Sequence, residues 1–70
     1  MPDHDENSKE ASLEYNVGRR IHERRLARSL TIEQLGNHVG LTKGQISKIE
    51  NGQVSIPIST LSRIADALRT

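Results

Sequence analysis

The chain has 70 residues, of which 33% are hydrophobic, and it contains no Phe, no Trp and no Cys. A chain this short holds one domain with a thin aliphatic core, and the lack of cysteine excludes disulfides and thiolate metal sites. No stretch is apolar for long enough to cross a membrane, and the acidic start is unlike a signal peptide, so we expect an intracellular, cytoplasmic protein.

The net charge of +1 is divided unevenly along the chain. Residues 1–14 contain five acidic residues and one lysine, a net charge of −4, and they show no apolar periodicity. We therefore predict a disordered acidic tail over 1–14 and a folded domain over 15–70. The folded part carries the remaining +5, a balance that suits a polyanionic partner.

The first helix is predicted over about residues 15–28, where apolar residues recur at helical spacing. Its core candidates are Val17, Ile21, Leu26 and Leu30. The other faces are crowded with arginine, and most of these side chains are expected to be solvated, with one or two near phosphate. These arginines are Arg19, Arg20, Arg24 and Arg28.

Residues 31–52, TIEQLGNHVGLTKGQISKIENG, predict two short amphipathic helices joined by a tight turn. Thr31 and Thr42 each stand three residues before a glutamine, which is the capping-box pattern. Gly40 suits the reversal between the helices because it tolerates positive φ, and Gly36 lets a second helix cross closely. One apolar stripe on each helix should be buried; the stripes contain Ile32, Leu35 and Val39, then Ile46 and Ile49. This is the geometry of a helix-turn-helix.

The fourth helix follows a turn signal, Asn51-Gly52, and a loop over 54–58 that apolar contacts should hold. We predict that it begins between Pro57 and Ser59, because proline disfavours helix for the residue before it and suits the first helical turn. Its buried stripe contains Leu61, Ile64, Ala65 and Leu68.

Three segments, VGRRIHERR, LTIEQLGNHVGLTKGQISKIENG and STLSRIADAL, have an order and spacing that resemble the phage repressor and Cro-like helix-turn-helix regulators, the xenobiotic-response-element type. The resemblance covers residues 17–68. It implies an all-α fold, a compact bundle of four to five short helices of the lambda-repressor-like DNA-binding type. It also implies sequence-specific binding of double-stranded DNA by a transcriptional regulator, more usually a repressor, that acts as a homodimer on a two-fold operator.

In such regulators the second helix crosses the sugar-phosphate backbone and the third enters the major groove. The resemblance therefore implies that helix 42–50 is the recognition helix. Its base-contacting candidates are Lys43, Gly44, Gln45, Ser47 and Lys48. The candidates for the DNA backbone are Thr31, Gln34, Thr42 and Asn51. Gln45 can read adenine bidentately only if its side chain is not used by the cap. Arg25 matches the position that forms a structural ion pair with the glutamate near the end of the recognition helix, here Glu50.

Some positions depart from the family pattern. Ser29 stands where glycine commonly ends the first helix, and Ile32 replaces a polar residue that touches phosphate in several repressors. Gly44 removes a side chain from a position that often reads bases. These departures predict fewer DNA contacts than the phage proteins make.

Other interpretations stay open from the same residues. The fold also serves antitoxins and other protein-interaction modules, and a plain helical bundle can lack a ligand. The arrangement also resembles regulators whose DNA-binding domain precedes a ligand-sensing domain, such as a cupin barrel. An enzyme, a metal site or a cofactor is not expected, because His4, His22 and His38 have no partners at metal-ligand spacing and no serine lies in a nucleophile motif. We expect solvated histidines.

Overall fold

The computed structural model describes residues 12–69, which form four helices and no strand. The helices are α1 (Leu13–Ala27), α2 (Ile32–Val39), α3 (Lys43–Glu50) and α4 (Ile58–Arg69). The predicted all-α bundle with a helix-turn-helix is confirmed, α2 and α3 being that pair. Of the predicted acidic tail, residues 1–11 lie outside the described part of the chain.

Helix α1 begins earlier than predicted, at Leu13. Ser12 caps the helix, because its Oγ accepts a hydrogen bond from the backbone N–H of Tyr15 at 3.2 Å. Glu14 then places a carboxylate in the first turn, where the helix dipole favours negative charge. Residues 12–14, which the sequence assigned to the tail, therefore belong to the folded domain.

The end of α1 is a left-handed cap without glycine. Ser29 has a φ of 59°, which places it in the left-handed region. Its backbone N–H donates to the carbonyl of Leu26 at 2.9 Å, and the N–H of Leu30 donates to the carbonyl of Arg25 at 3.0 Å. This pair of bonds is the Schellman motif. Ser29 thus takes the backbone conformation of the glycine that it replaces.

The helix-turn-helix has the predicted caps on both helices. Thr31 and Thr42 each precede a helix and form a full capping box with the glutamine three residues on. Gly40 ends α2 in the left-handed conformation with a φ of 75°. The closest approach at Gly36 is to the turn, where a Cβ would lie 2.5 Å from the carbonyl oxygen of Leu41, and the side chain of Ile46 on α3 is the next neighbour at 3.6 Å.

Helix α4 begins at the predicted place, since the N–H of Leu61 donates to the carbonyl of Pro57 at 2.9 Å. The loop before it is held less firmly than predicted. Ile56 packs against the core, but Val54 and Ile58 are 38% and 84% exposed.

The core is thin and aliphatic, as the composition predicts. Its buried residues are Ile21, Leu35, Val39, Ile46, Ile49, Ile64 and Leu68, with Val17, Leu30, Ile32 and Leu61 partly buried against them. Two core predictions are wrong. Leu26 is 55% exposed because five residues of helix turn it well past the face of Ile21. Ala65 is exposed because it faces a groove between α1 and α4 that no described residue covers.

Candidate nucleic-acid interface

The outer face of α3 is polar and cationic. Ile46 and Ile49 point inward and are 0% and 5% exposed. The predicted base-contacting residues Lys43, Gly44, Gln45 and Lys48 are exposed, and Ser47 is half-buried. The predicted backbone-contacting residues Thr31, Gln34, Thr42 and Asn51 are all exposed as well. Solvent can therefore reach all of these residues of the helix-turn-helix, with Ser47 the least accessible of them.

The capping boxes use part of the hydrogen-bonding capacity of this face. The Oε1 atoms of Gln34 and Gln45 accept from the backbone N–H groups of Thr31 and Thr42, each at 2.8 Å. Bidentate reading of adenine needs both the oxygen and the nitrogen of the amide, so the bound Oε1 of Gln45 removes that mode in this conformation. Its Nε2 can still donate. Both threonine hydroxyls accept from the glutamine N–H groups and keep a hydrogen to donate.

Asn51 and Gly44 lie at opposite ends of α3. The Nδ2 of Asn51 donates to the carbonyl of Ser47 at 3.0 Å, which leaves one amide hydrogen for an outside acceptor. Gly44 faces open space, because the nearest atom to an added Cβ is Thr42 Oγ1 at 4.0 Å. A ligand can therefore approach the backbone of the first turn of α3 closely.

The structure brings Arg25 of α1 and Glu50 of α3 together in the interior. Arg25 Nε lies 2.7 Å from Glu50 Oε2, and its second nitrogen lies 3.1 Å from Oε1. The remaining guanidinium nitrogen donates to the carbonyl of Leu30 at 2.8 Å. The side chains of Arg25 and Glu50 are 7% and 5% exposed. This forked contact ties the end of α3 to the middle of α1.

His22 is a third member of this cluster, and the expectation that it is simply solvated is wrong. Its side chain is half-buried, and its Nδ1 lies 2.8 Å from Glu50 Oε1 and 3.1 Å from a nitrogen of Arg25. Arginine and protonated imidazole only donate, whereas a carboxylate only accepts. The shorter contact therefore assigns the Nδ1 proton to the bond toward Glu50. The sequence contained a signal, since His22 stands three residues before Arg25 on the same helical face.

The cluster keeps Glu50 ionised. Burial alone would raise the pKa of Glu50, but the hydrogen bonds from Arg25 and His22 and their charges outweigh burial and hold the pKa below its ordinary value. A charged carboxylate at the end of α3 is therefore the stable form of the folded domain at neutral pH.

Gly18 is a positioning residue that the sequence analysis missed. A Cβ at this position would collide with the carbonyl oxygen of Ile49 and would lie 2.8 Å from that of Glu50. Gly18 lies one turn before His22 on the face of α1 that meets α3. Its missing side chain lets the two helices approach closely enough for the cluster of His22, Arg25 and Glu50 to form.

Arg28 is also placed differently from expectation. It donates from Nε to the carbonyl of Leu68 and from a terminal nitrogen to the carbonyl of Arg69. These are orphan carbonyls at the last turn of α4, where a cation also complements the helix dipole. Arg28 therefore caps α4.

Other kinds of site are not seen within residues 12–69. The described residues hold no group of three or more His, Asp or Glu side chains that could bind a metal ion. None of the four helices there is long and apolar enough to span a membrane.

The capped helix pair, the short turn and the supporting helices define a helix-turn-helix domain. A family model described as a helix-turn-helix domain matches residues 16–70, and the chain belongs to this family. The chain is 40% identical over 53 residues to the uncharacterized HTH-type transcriptional regulator RghRB of Bacillus subtilis, covering 74% of this chain and 38% of that protein. It is 34% identical over 61 residues to the uncharacterized HTH-type transcriptional regulator y4aM of Sinorhizobium fredii, covering 87% of this chain and 43% of that protein. The chain thus spans about two-fifths of the length of these relatives. No solved structure matches it.

Proposed function

We propose that this domain binds double-stranded DNA as the reading module of a transcriptional regulator, with α3 in the major groove. The observation that carries the proposal is the outer face of α3, where Lys43 and Lys48 are exposed on a helix whose inner face is anchored by two isoleucines and Glu50. The major groove is about 12 Å wide and admits one helix. The names of the two relatives, both HTH-type transcriptional regulators, support the same proposal.

The base contacts follow from the donors that the caps leave free. Lys43 and Lys48 donate to guanine O6 or N7, each good contact contributing about 1–3 kcal/mol of discrimination. Gln45 donates to a base through its Nε2. Ser47 is half-buried, so its hydroxyl reaches only a base edge that lies directly against α3. Gly44 makes no side-chain contact; instead, its lack of a side chain lets the backbone of α3 approach the bases closely.

The phosphate contacts use the starts of the two helices. The first backbone N–H groups of α2 and the hydroxyl of Thr31 point toward a phosphate at the positive end of the helix dipole. Thr42 offers its hydroxyl in the same way, and Gln34 and Asn51 offer amide hydrogens. These contacts fix the register of α3 without reading sequence.

The proposal includes a homodimer on a two-fold operator, with half-sites about one helical turn apart, and repression as the outcome of binding. One domain with few base contacts has modest affinity, and pairing two domains on one duplex raises it. Binding to duplexes that carry one or two half-sites, measured with the stoichiometry, tests the pairing.

The first test is an amide chemical-shift titration with a mixed-sequence duplex at low and moderate salt. We expect shifts at 31–34 and 42–51 that fade as salt rises, because phosphate contacts release counterions. On a duplex that carries a half-site, Lys43→Ala and Lys48→Ala should each cost about 1–3 kcal/mol of affinity and relax specificity at the base that the lysine contacts. Arg20→Ala is the matched control, because it removes one positive charge from the face of α1 that points toward α4. An unshifted spectrum at millimolar duplex, or equal weakening by all three substitutions, contradicts the proposal.

A further inference from the structure

The outer face of α3 is rich in hydrogen-bond donors and has no exposed carboxylate. Lys43 and Lys48 are exposed, and a lysine ammonium can only donate. Glu50 is the only acidic residue in positions 34–65, and it turns inward, where side chains of α1 contact both of its carboxylate oxygens. This face therefore has no acidic side chain that could accept a hydrogen bond from a base.

The fold decides the hydrogen-bonding character of Gln45. A free glutamine amide both donates and accepts. In the capping box, however, the amide contacts the backbone N–H of Thr42 at 2.8 Å, and because a backbone N–H can only donate, the amide oxygen must be the atom in this contact. The amide nitrogen and its two hydrogens are left for solvent or a ligand. The cap thus turns Gln45 into a donor.

Gln45 also lies at the end of α3 that suits base contact. It is the third residue of the helix, and the N-terminal residues of a recognition helix contact base edges in the major groove. Its neighbour Gly44 has no side chain, and a Cβ there would meet only Thr42 Oγ1, at 4.0 Å. Because Gln45 is exposed, its amide can reach a base that comes close to this turn.

The four bases present different groups to such a donor. In the major groove, guanine shows two acceptors, N7 and O6, whereas cytosine shows a donor and adenine shows a donor beside its acceptor. Thymine shows one acceptor and a methyl group. Ile46 and Ile49 are buried, so α3 has no exposed apolar side chain to contact that methyl group. A face of donors therefore fits guanine best.

We infer that Gln45 is a specificity-determining residue that selects guanine, within a guanine-rich half-site that Lys43 and Lys48 also read. This inference rests on the proposed function, because it names the base that the proposed recognition helix selects. The atom that discriminates is Nε2 of Gln45, and the bond from Thr42 holds the amide in the orientation that presents it. Replacing this atom alone by oxygen reverses the preference and leaves the cap in place.

The variant Gln45→Glu makes this replacement. Glutamate keeps one oxygen for the N–H of Thr42, and its charge in the first turn suits the helix dipole, so the fold should be retained. The second oxygen takes the place of Nε2 and accepts from N4 of cytosine. Gln34→Glu is the matched control. Gln34 forms the same cap with Thr31, also at 2.8 Å, and the substitution adds the same charge on α2, outside the proposed base contacts.

The probe is a pool of duplexes with a randomised core between fixed arms, which the full chain binds at low salt before the bound and unbound fractions are sequenced. We expect the wild type to enrich guanine at several neighbouring positions, and Lys43→Ala to lose one of these and so mark the register. Gln45→Glu should change another of these positions from guanine to cytosine on the same strand, by about tenfold in relative affinity.

Two further variants complete the comparison. Gln34→Glu should bind all duplexes more weakly because of its charge, but with the base preference of the wild type. Gln45→Met keeps the length of the side chain without an N–H donor, so it should lose the preference at the position that Gln45→Glu reverses. Circular dichroism checks that each variant is folded.

Several results overturn the inference. These are a wild-type preference without guanine, base preferences of Gln45→Glu that equal those of the wild type, or the same reversal in Gln34→Glu. If the wild type binds every duplex of the pool equally, the inference fails and DNA binding stands. If the wild type binds no duplex, the proposed function fails and this inference fails with it.

Discussion

Replacing Arg25 by alanine should destabilise the domain, because the buried carboxylate of Glu50 loses its arginine partner. The substitution removes two hydrogen bonds to Glu50 and one to the carbonyl of Leu30, while Glu50 stays 5% exposed. Breaking a buried ion pair on one side costs about 3–5 kcal/mol. His22 remains bonded to Glu50, so we expect the lower end, about 3 kcal/mol. A domain of this size has about 4–10 kcal/mol of stability in total, so the variant should be close to unfolding.

The assay is urea unfolding followed by far-UV circular dichroism at neutral and acidic pH. Arg24→Ala is the matched control, because Arg24 is the exposed neighbour on the same helix and should cost no more than about 0.5 kcal/mol. In the wild type, the lowered pKa of Glu50 means that its stabilisation is present above the ordinary value of 4.5 and is lost as the pH falls. In Arg25→Ala, the hydrogen bonds and the charge of Arg25 no longer lower the pKa of Glu50, so we expect the carboxyl to protonate more readily. The difference between wild type and variant should therefore shrink in acid. A cost equal to that of Arg24→Ala, or one that does not change with pH, would refute this reasoning.

Three other substitutions test separate features of the bundle. Gly18→Ala should destabilise the domain by about 1–3 kcal/mol in thermal unfolding, because the new Cβ collides with the backbone of α3. Gly44→Ala is the control; this position faces open space, so the substitution should stabilise the domain by up to about 1 kcal/mol. Equal effects of the two substitutions would contradict the close packing at Gly18. Ser29→Gly should raise stability by up to about 1 kcal/mol, because the strain that a serine side chain suffers at positive φ costs more than the extra entropy that glycine gives the unfolded chain. A lower unfolding midpoint in the variant would argue against this expectation. Glu50→Gln should be less stable at neutral pH and should lose stability less steeply below pH 4.5, which parallel pH titrations of the unfolding midpoint would show.

The sequence predicted the features whose causes are local. A threonine and a glutamine three residues apart are enough to specify a capping box, and a glycine after Val39 is enough to specify the turn. The contacts of His22, Gly18 and Arg28 depend on partners far along the chain; Glu50, for example, lies 28 positions after His22. Helical periodicity shows which face of a helix is apolar but not which neighbour meets it.

Burial predictions failed where a periodic position has no neighbour to cover it. Ala65 has the spacing of a core residue, yet it lines the groove between α1 and α4, and no described residue buries it. Leu26 is apolar, but the turn of the helix carries it away from the face of Ile21, and it is exposed. The error at Ala65 comes from reading one helix at a time, since the gap between α1 and α4 is a property of the pair, whereas the position of Leu26 follows from helix geometry alone.

The cluster around Glu50 is better understood as fixing the rotation of α3 than as a source of stability. Replacing a buried ion pair by apolar residues of similar size is often neutral or stabilising, so the pair is not needed to hold a bundle together. Only two isoleucines of α3 face the core, and two contacts three residues apart allow the helix to turn or slide. A buried carboxylate resists such movement, because any shift leaves it without its partners on α1.

The double variant Arg25→Met/Glu50→Leu separates these two roles. We expect it to unfold at a urea concentration equal to or above that of the wild type, because an apolar pair replaces two buried charges. Its affinity for duplex DNA should nevertheless fall, because α3 is no longer held in one rotation about its axis. Lys43 and Lys48 then lie away from their base edges for part of the time, and a misplaced donor loses its base contact. Amide signals of residues 43–50 should broaden in the free protein if α3 samples several rotations. Unchanged DNA affinity in a stably folded double variant would show that the two isoleucines alone orient the helix, and the cluster would then have no part in recognition.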